Sequence, residues 1–134
     1  VYENRTQGSS RLGRLVDAND LNSIGWRGTR QRRANLETAL RTVIERLQAN
    51  GRPILILDVA AGACRYVLET MRALPNVEMS ATLCDNQPEN LKTARALADD
   101  FGLKNVDVRR GNAFDRAGGA TLRPRATIGI VSGL

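Results

Sequence analysis

The side chains able to recognise a ligand in this chain gather in two short stretches. The first, "ILILDVAAGACRY" (Ile54 to Tyr66), ends an apolar run on Asp58 and then passes through Ala60, Ala61, Gly62 and Ala63. Small residues let backbone approach a ligand closely, and the N–H groups that open a following helix attract a carboxylate or phosphate. The same residues would also serve simply to pack that helix tightly on the strand, and a lone glycine-poor loop does not decide between the two. The second stretch, "ATLCDNQPEN" (Ala81 to Asn90), sets Asp85 at the close of another apolar run. It falls about 20 residues beyond the loop, where an acid can accept both hydroxyls of a ribose. Asp85 could instead cap the helix opened by Pro88, although Asn86 is itself a good N-cap. Loop and acid together point to a nucleoside-bearing ligand more strongly than either alone.

Other chemistries are closed off by what the chain lacks. With no histidine, neither a histidine-based triad nor a histidine-containing metal centre can be built. No catalytic base can be named from the residues, and no metal site is expected. Cys64 stands where a helix begins, a position that can lower a thiol pKa, yet without a histidine partner an inert, partly buried cysteine is the better reading. Cys84, at an apolar strand end, reads as core.

These residues need elements to hold them. Leu36, Ala39, Leu40, Val43, Ile44 and Leu47 recur at helical spacing from Thr29 onward, and Asn50-Gly51 supplies the stop. Pro53 to Ala60 is a near-continuous β-branched and leucine run, the pattern of a strand covered on both faces. A helix from about Cys64 to Leu74 follows, then a strand from Val77 to Cys84. Pro88 opens a helix with Leu91, Ala94, Leu97, Ala98 and Phe101 as its apolar stripe and Gly102 at its end. Val106 to Arg109 forms a short third strand, "GNAFDRAGGATLRPR" reads as loop, and Ala126 to Val131 makes a fourth strand. From Val1 to Gly28 the chain is polar and glycine-punctuated, a loop with at most one short helix. Strands alternating with helices imply right-handed crossovers and a Rossmann-like α/β parallel sheet. Two regions follow from this: residues 1–51, a basic segment plus amphipathic helix, and residues 52–134, the ligand-binding part of the sheet.

Bulk properties bound the rest. The 134 residues allow one domain at most. A formal net charge of +6, carried largely by arginine, is compatible with an anionic partner, including nucleic acid. Aromatic content of only 4% argues against base-stacking platforms. Two cysteines make no disulfide framework, and no secretory or membrane-spanning segment is visible, so a reducing cytoplasm without membrane association is the expected setting. The chain opens on Val1 without a methionine, which suggests a segment of something longer.

"ILDVAAGACRY", "ATLCDNQPENLKTARA" and "VRRGNAFD", in this order and spacing, resemble the first three motifs of class I S-adenosylmethionine-dependent methyltransferases. Within that superfamily the chain is similar, from about Arg52 onward, to a group of bacterial methyltransferase domains, some attached to a hydrolase-like domain. The resemblance implies S-adenosylmethionine as cofactor. It implies that Asp58 orients the cofactor loop and its amino group, and that Gly62 with Ala60 and Ala61 supplies the backbone against which the methionine part lies. Asp85 would grip the ribose hydroxyls, with Asn86 beside the adenine. Asn112 stands where the family more often has aspartate facing the adenine amino group, Ala113 would add a backbone contact, and Ser132 would mark the fourth-strand end near the sulfonium.

Two departures from the family pattern carry expectations of their own. Glycine is usual at the positions of Ala60 and Cys64; a methyl at Ala60 is tolerable where φ is negative, and Cys64 would crowd the cofactor or the strand. The family's sheet also continues past four strands. This chain is therefore expected to be the cofactor half of the fold, truncated after about four strands. Its fourth strand is left as an apolar edge, to be covered by a missing C-terminal half or a partner chain. A small-molecule or anionic acceptor is compatible with the charge. Two other classes share some of these features. A nicotinamide-dependent oxidoreductase needs a G-x-G-x-x-G that no register of "DVAAGACRY" supplies, and a non-catalytic basic binding module would use the sheet to hold RNA or a protein.

Overall fold

The structure, a computed structural model, describes residues 24–111 and 125–131. The elements run α1 (Ile24–Ala49), β1 (Ile54–Val59), α2 (Arg65–Ala73), β2 (Met79–Asp85), α3 (Pro88–Asp100), β3 (Val106–Arg110) and β4 (Ile128–Val131). The four strands form one parallel sheet in the order β3-β2-β1-β4. The chain moves outward from β1 through β2 to β3 and then returns to pair β4 on the other side of β1. That reversal is the switch point at whose carboxyl ends open α/β sheets take ligands, and it lies beside Asp58 and the loop after it.

The chain divides into two units, residues 1–38 and 39–134, with the boundary inside α1. In the first unit, α1 is tied along its surface by the Arg33–Glu37 ion pair at 2.9 Å and by a 3.0 Å hydrogen bond from Gln31 to Asn35. The helix begins at Ile24, five residues ahead of the expected Thr29. Gly25 and Gly28 are carried inside it although each costs about 1 kcal/mol against alanine, a cost that so long a helix absorbs.

In the second unit, Leu40, Ile44 and Leu47 form the buried stripe of α1, and the expected Ala39 and Val43 lie on the exposed side. The helix stops in a Schellman turn. Gly51 takes φ +62°, its N–H donates to Gln48 O at 3.0 Å, and Arg52 N–H donates to Leu47 O at 2.9 Å. Gly102 repeats the device after α3: it has φ +67°, and Leu103 N–H donates to Ala98 O at 2.9 Å.

β1 starts at Ile54 because Pro53 has no N–H to give. Its side chains alternate, Ile54, Ile56 and Asp58 being buried and Leu55, Leu57 and Val59 half-buried. Both faces were expected to be fully covered; only that of Ile54, Ile56 and Asp58, the face turned to α2, is. Thr127 joins the start of β4 to β1, since its hydroxyl donates to Pro53 O and accepts from Leu55 N–H, both at 2.9 Å. That use of Thr127 sets the strand's first residue at Ile128. Among the described residues β4 pairs with β1 alone, and its Val131 is 59% exposed. α3 is fixed to β3 by a 2.9 Å hydrogen bond from Arg95 to Val108 O, and Arg72 of α2 lies 4.6 Å from the centre of the Phe101 ring. The "GNAFDRAGGATLRPR" loop, apart from Gly111 and Arg125, and the segment before α1 lie outside the described residues. No helix among the described residues is long and apolar enough to cross a membrane.

Candidate cofactor site

The site is built at the carboxyl ends of β1 and β2. Hydrogen bonding carries β1 as far as Val59, and the chain then turns through three left-handed residues alternating with others: Ala60 at φ +56°, Gly62 at +57° and Cys64 at +52°. The turn is closed by Ala61 N–H to Cys84 O at 3.2 Å and by Cys64 N–H to Ala61 O at 3.0 Å. The condition under which a methyl at Ala60 is tolerated without strain, a negative φ, is therefore not met. Its alanine sits where glycine would be at ease, because the turn needs that backbone whatever residue occupies it.

Asp85 is the clasp. One oxygen, Oδ2, accepts from Gly62 N–H at 2.8 Å; the other, Oδ1, accepts from Gln87 N–H at 2.8 Å and Asn90 Nδ2 at 3.2 Å. Its main-chain carbonyl accepts from Gly111 N–H at 3.0 Å, which draws in the end of β3. The acid and the small-residue loop named from sequence are therefore in direct contact. Asn86 is exposed beside them and is not the N-cap of α3; Gln87 holds that position without a side-chain bond, and Asp85 receives its N–H. The side chain of Asn90, missed in the sequence, was signalled by its place in the first turn after Pro88, where short polar side chains reach back toward the cap.

Asp58 is fully buried. Its Oδ2 accepts the Tyr66 hydroxyl at 2.5 Å, while Oδ1 has no hydrogen-bond partner. Burial pushes its carboxyl up from the usual range to about 7; the Tyr66 hydrogen bond works against that rise and the Asp85 charge adds to it. Tyr66 was also missed, although a polar-tipped aromatic before Val67 and Leu68 needs a partner once buried.

Cys64 is 3% exposed, and its Sγ lies 3.4 Å from Gly62 O as donor. Burial, with smaller contributions from Asp58 and Asp85, drives its thiol pKa upward, the reverse of an activated nucleophile. It offers no side-chain cap to α2. A Cβ built on Gly62 would meet nothing within 4 Å, so the space beside that residue is open. The expected site residues Asn112, Ala113 and Ser132 lie outside the described residues. No group of three histidine, cysteine, aspartate or glutamate residues suited to a metal ion occurs among the described residues.

A parallel sheet of order 3-2-1-4, an acid clasping the first loop and a second acid buried beneath it define a Rossmann-like α/β fold with a candidate nucleoside site at its switch point. The chain belongs to the family described as "Putative methyltransferase", whose model matches residues 1–134. It is 38% identical over 135 residues to the Escherichia coli protein described as "Uncharacterized protein YnbC"; all of this chain but only 23% of that protein is covered. Among solved structures it resembles an S-adenosylmethionine-dependent methyltransferase from Thiobacillus denitrificans in complex with S-adenosylhomocysteine. The TM-score there is 0.54 at 18% identity, over 78% of this chain and 36% of that one. A Geobacter sulfurreducens enzyme of the same description and ligand gives a TM-score of 0.51 at 20% identity, over 70% and 35% of the two chains. At these identities the likeness is one of fold.

Proposed function

We propose that this chain is the cofactor-binding part of an S-adenosylmethionine-dependent methyltransferase. The observation that carries the reading is the 2.8 Å bond from Gly62 N–H to Asp85 Oδ2. It brings the loop suited to an amino-acid carboxylate and the acid suited to a ribose to one place. Two features of the structure fit the ligand. Asp58 Oδ1 is a buried acceptor still in want of a donor, and the open side of Gly62 leaves backbone accessible.

In this reading Asp85 accepts the ribose hydroxyls, with Asn86 at the adenine edge. Ala60, Ala61 and Gly62 lie along the methionine part, and Asp58 balances its ammonium. Asn112, Ala113 and Ser132 keep the roles that the family resemblance implies for them. The bound cofactor supplies a methyl group made electrophilic by its sulfonium. The chain's own residues hold, orient and desolvate it, which is most of what methyl transfer asks of a protein.

A small-molecule or anionic acceptor suits the +6 charge. A following segment or a partner chain would cover the β4 edge and the half-buried face of Leu55, Leu57 and Val59. The 23% share of the longer relative is compatible with such a segment. Two free, buried thiols suit a cytoplasmic setting. Calorimetry with S-adenosylhomocysteine and with NAD tests the assignment: heat from the first and none from the second is expected, and tighter binding of NAD would overturn it.

A further inference from the structure

We infer that Tyr66 is a positioning residue for the cofactor's amino-acid end: its hydroxyl holds Asp58 Oδ2 so that Oδ1 is the oxygen presented to the ligand's ammonium. The inference rests on the methyltransferase reading above and adds to it a residue outside the three sequence motifs' named contacts. Burying a phenol hydroxyl is unfavourable unless it finds a strong partner, and phenylalanine would fill the same space without that cost. Tyr66 is 8% exposed, and its hydroxyl ends 2.5 Å from the carboxylate. The residue is held in turn by its place in α2, where the Thr70 hydroxyl donates to Tyr66 O at 2.8 Å and is itself 1% exposed. With Oδ2 engaged, Oδ1 is the oxygen left to accept; because it has no exposed surface, it reaches the ligand's ammonium through a bridging water.

The arrangement makes cofactor affinity depend on the ionisation of Asp58. The titratable groups around it are Tyr66 from α2, Cys64 from the loop, and Cys84 and Asp85 from β2; its β4 partner in register, Ile130, carries no charge. Burial keeps both thiols protonated, so the competition is between Tyr66, which favours the carboxylate, and burial with Asp85, which disfavour it. Asp58 then crosses from acid to carboxylate at about pH 7, and removal of the phenol hydroxyl moves that crossing upward.

Two measurements on the intact protein and its Tyr66→Phe variant test this. In the free protein, carbon NMR of the Asp58 carboxyl should show a midpoint about one pH unit or more higher in Y66F, the size expected for one hydrogen bond to a charged group. In calorimetry, S-adenosylhomocysteine should bind wild type roughly tenfold more weakly at about pH 6 than at about pH 8. Y66F should be roughly tenfold weaker than wild type near neutrality, the two converging at higher pH. Methylthioadenosine, which lacks the amino-acid arm, should follow no such profile in either protein. A merely structural tyrosine would weaken both ligands alike at every pH. An unmoved Asp58 midpoint in Y66F, or superimposable S-adenosylhomocysteine profiles, overturns the role of Tyr66 while leaving the parent reading in place. Should Y66F fail to fold, a flat wild-type profile for S-adenosylhomocysteine, or a profile kept in Asp58→Asn, would overturn it equally. If neither ligand binds wild type, the methyltransferase reading falls and this inference falls with it.

Discussion

Ala60 and Cys64 share a backbone conformation but not an environment, and replacing each by glycine separates the two effects. Both are left-handed, at φ +56° and +52°, which for a residue with a Cβ costs roughly 1–2 kcal/mol. Glycine removes that strain and gives back about 0.4–1 kcal/mol through the greater freedom of its unfolded chain. The Ala60 methyl is half-buried, so losing it costs about 0.4 kcal/mol more, half the value of a fully buried methylene. The net for Ala60→Gly is a gain of roughly 0.5 kcal/mol, worth about 2 °C in Tm for a chain of this size. Cys64→Gly has the same backbone relief but deletes a side chain that is 3% exposed and bonded to Gly62 O. Two buried heavy atoms are worth about 1.5 kcal/mol before any cavity term, so this variant should lose roughly 1 kcal/mol. Urea unfolding, with the slope checked for constancy, should rank A60G above wild type and wild type above C64G. A lower midpoint for A60G, or C64G more stable than A60G, would refute the assignment of strain to the turn.

Two further outcomes follow from the same loop. Gly62→Ala meets no neighbour within 4 Å but must hold φ at +57°; it should cost about 1–2 kcal/mol in stability and weaken S-adenosylhomocysteine binding by a larger factor than stability explains, and unchanged affinity in calorimetry would show that the open side of Gly62 is not used. Asp58, raised to about 7 in the fold against about 3.9 unfolded, adds stability that is full below about pH 4 and lost as pH rises through about 7, in all about 4 kcal/mol. Asp58→Asn should remove that slope. The unfolding free energy of wild type minus that of D58N should therefore fall by about 3 kcal/mol from about pH 5 to about pH 8, and a difference that stays constant would show that Asp58 is not held protonated.

What could be read from the sequence was what depends on residue type and spacing. The apolar runs read as strands at Pro53–Ala60 and Val77–Cys84 are strands at Ile54–Val59 and Met79–Asp85, and the interval from Gly62 to Asp85 marks two strand ends side by side. What could not be read depends on partners that the chain meets only when folded. Residue type favours a negative φ at Ala60; closure of the turn by the Ala61–Cys84 bond imposes the opposite. Asn86 is by type the better N-cap, yet Asp85 one position earlier already receives Gln87 N–H, and Asn86 is left to solvent. The glycines at 25 and 28 look like breaks in a short window, whereas α1 continues through them to Ala49. Tyr66 meets Asp58 only because α2 turns back over β1, a contact that no periodicity encodes.

If Asp85 takes the ribose as proposed, its structural bonds explain why such a site can exist before any ligand arrives. A carboxylate at a strand end has about four lone-pair positions, and here three donors from the loop, the start of α3 and its first turn occupy Oδ1 and Oδ2. Folding therefore orients the acid and the loop in the same step, and a ligand bearing vicinal hydroxyls finds both in place without ordering either. That preorganisation has a consequence for affinity. To take both hydroxyls the acid must share or release a donor it already holds. Gly62 N–H and Asn90 Nδ2 are the candidates, and Asn90 at 3.2 Å is the longer and weaker of the two. On the proposed reading, release of Asn90 would keep the β1 loop clasped while a ribose is bound, so the loop's geometry need not be rebuilt on cofactor entry.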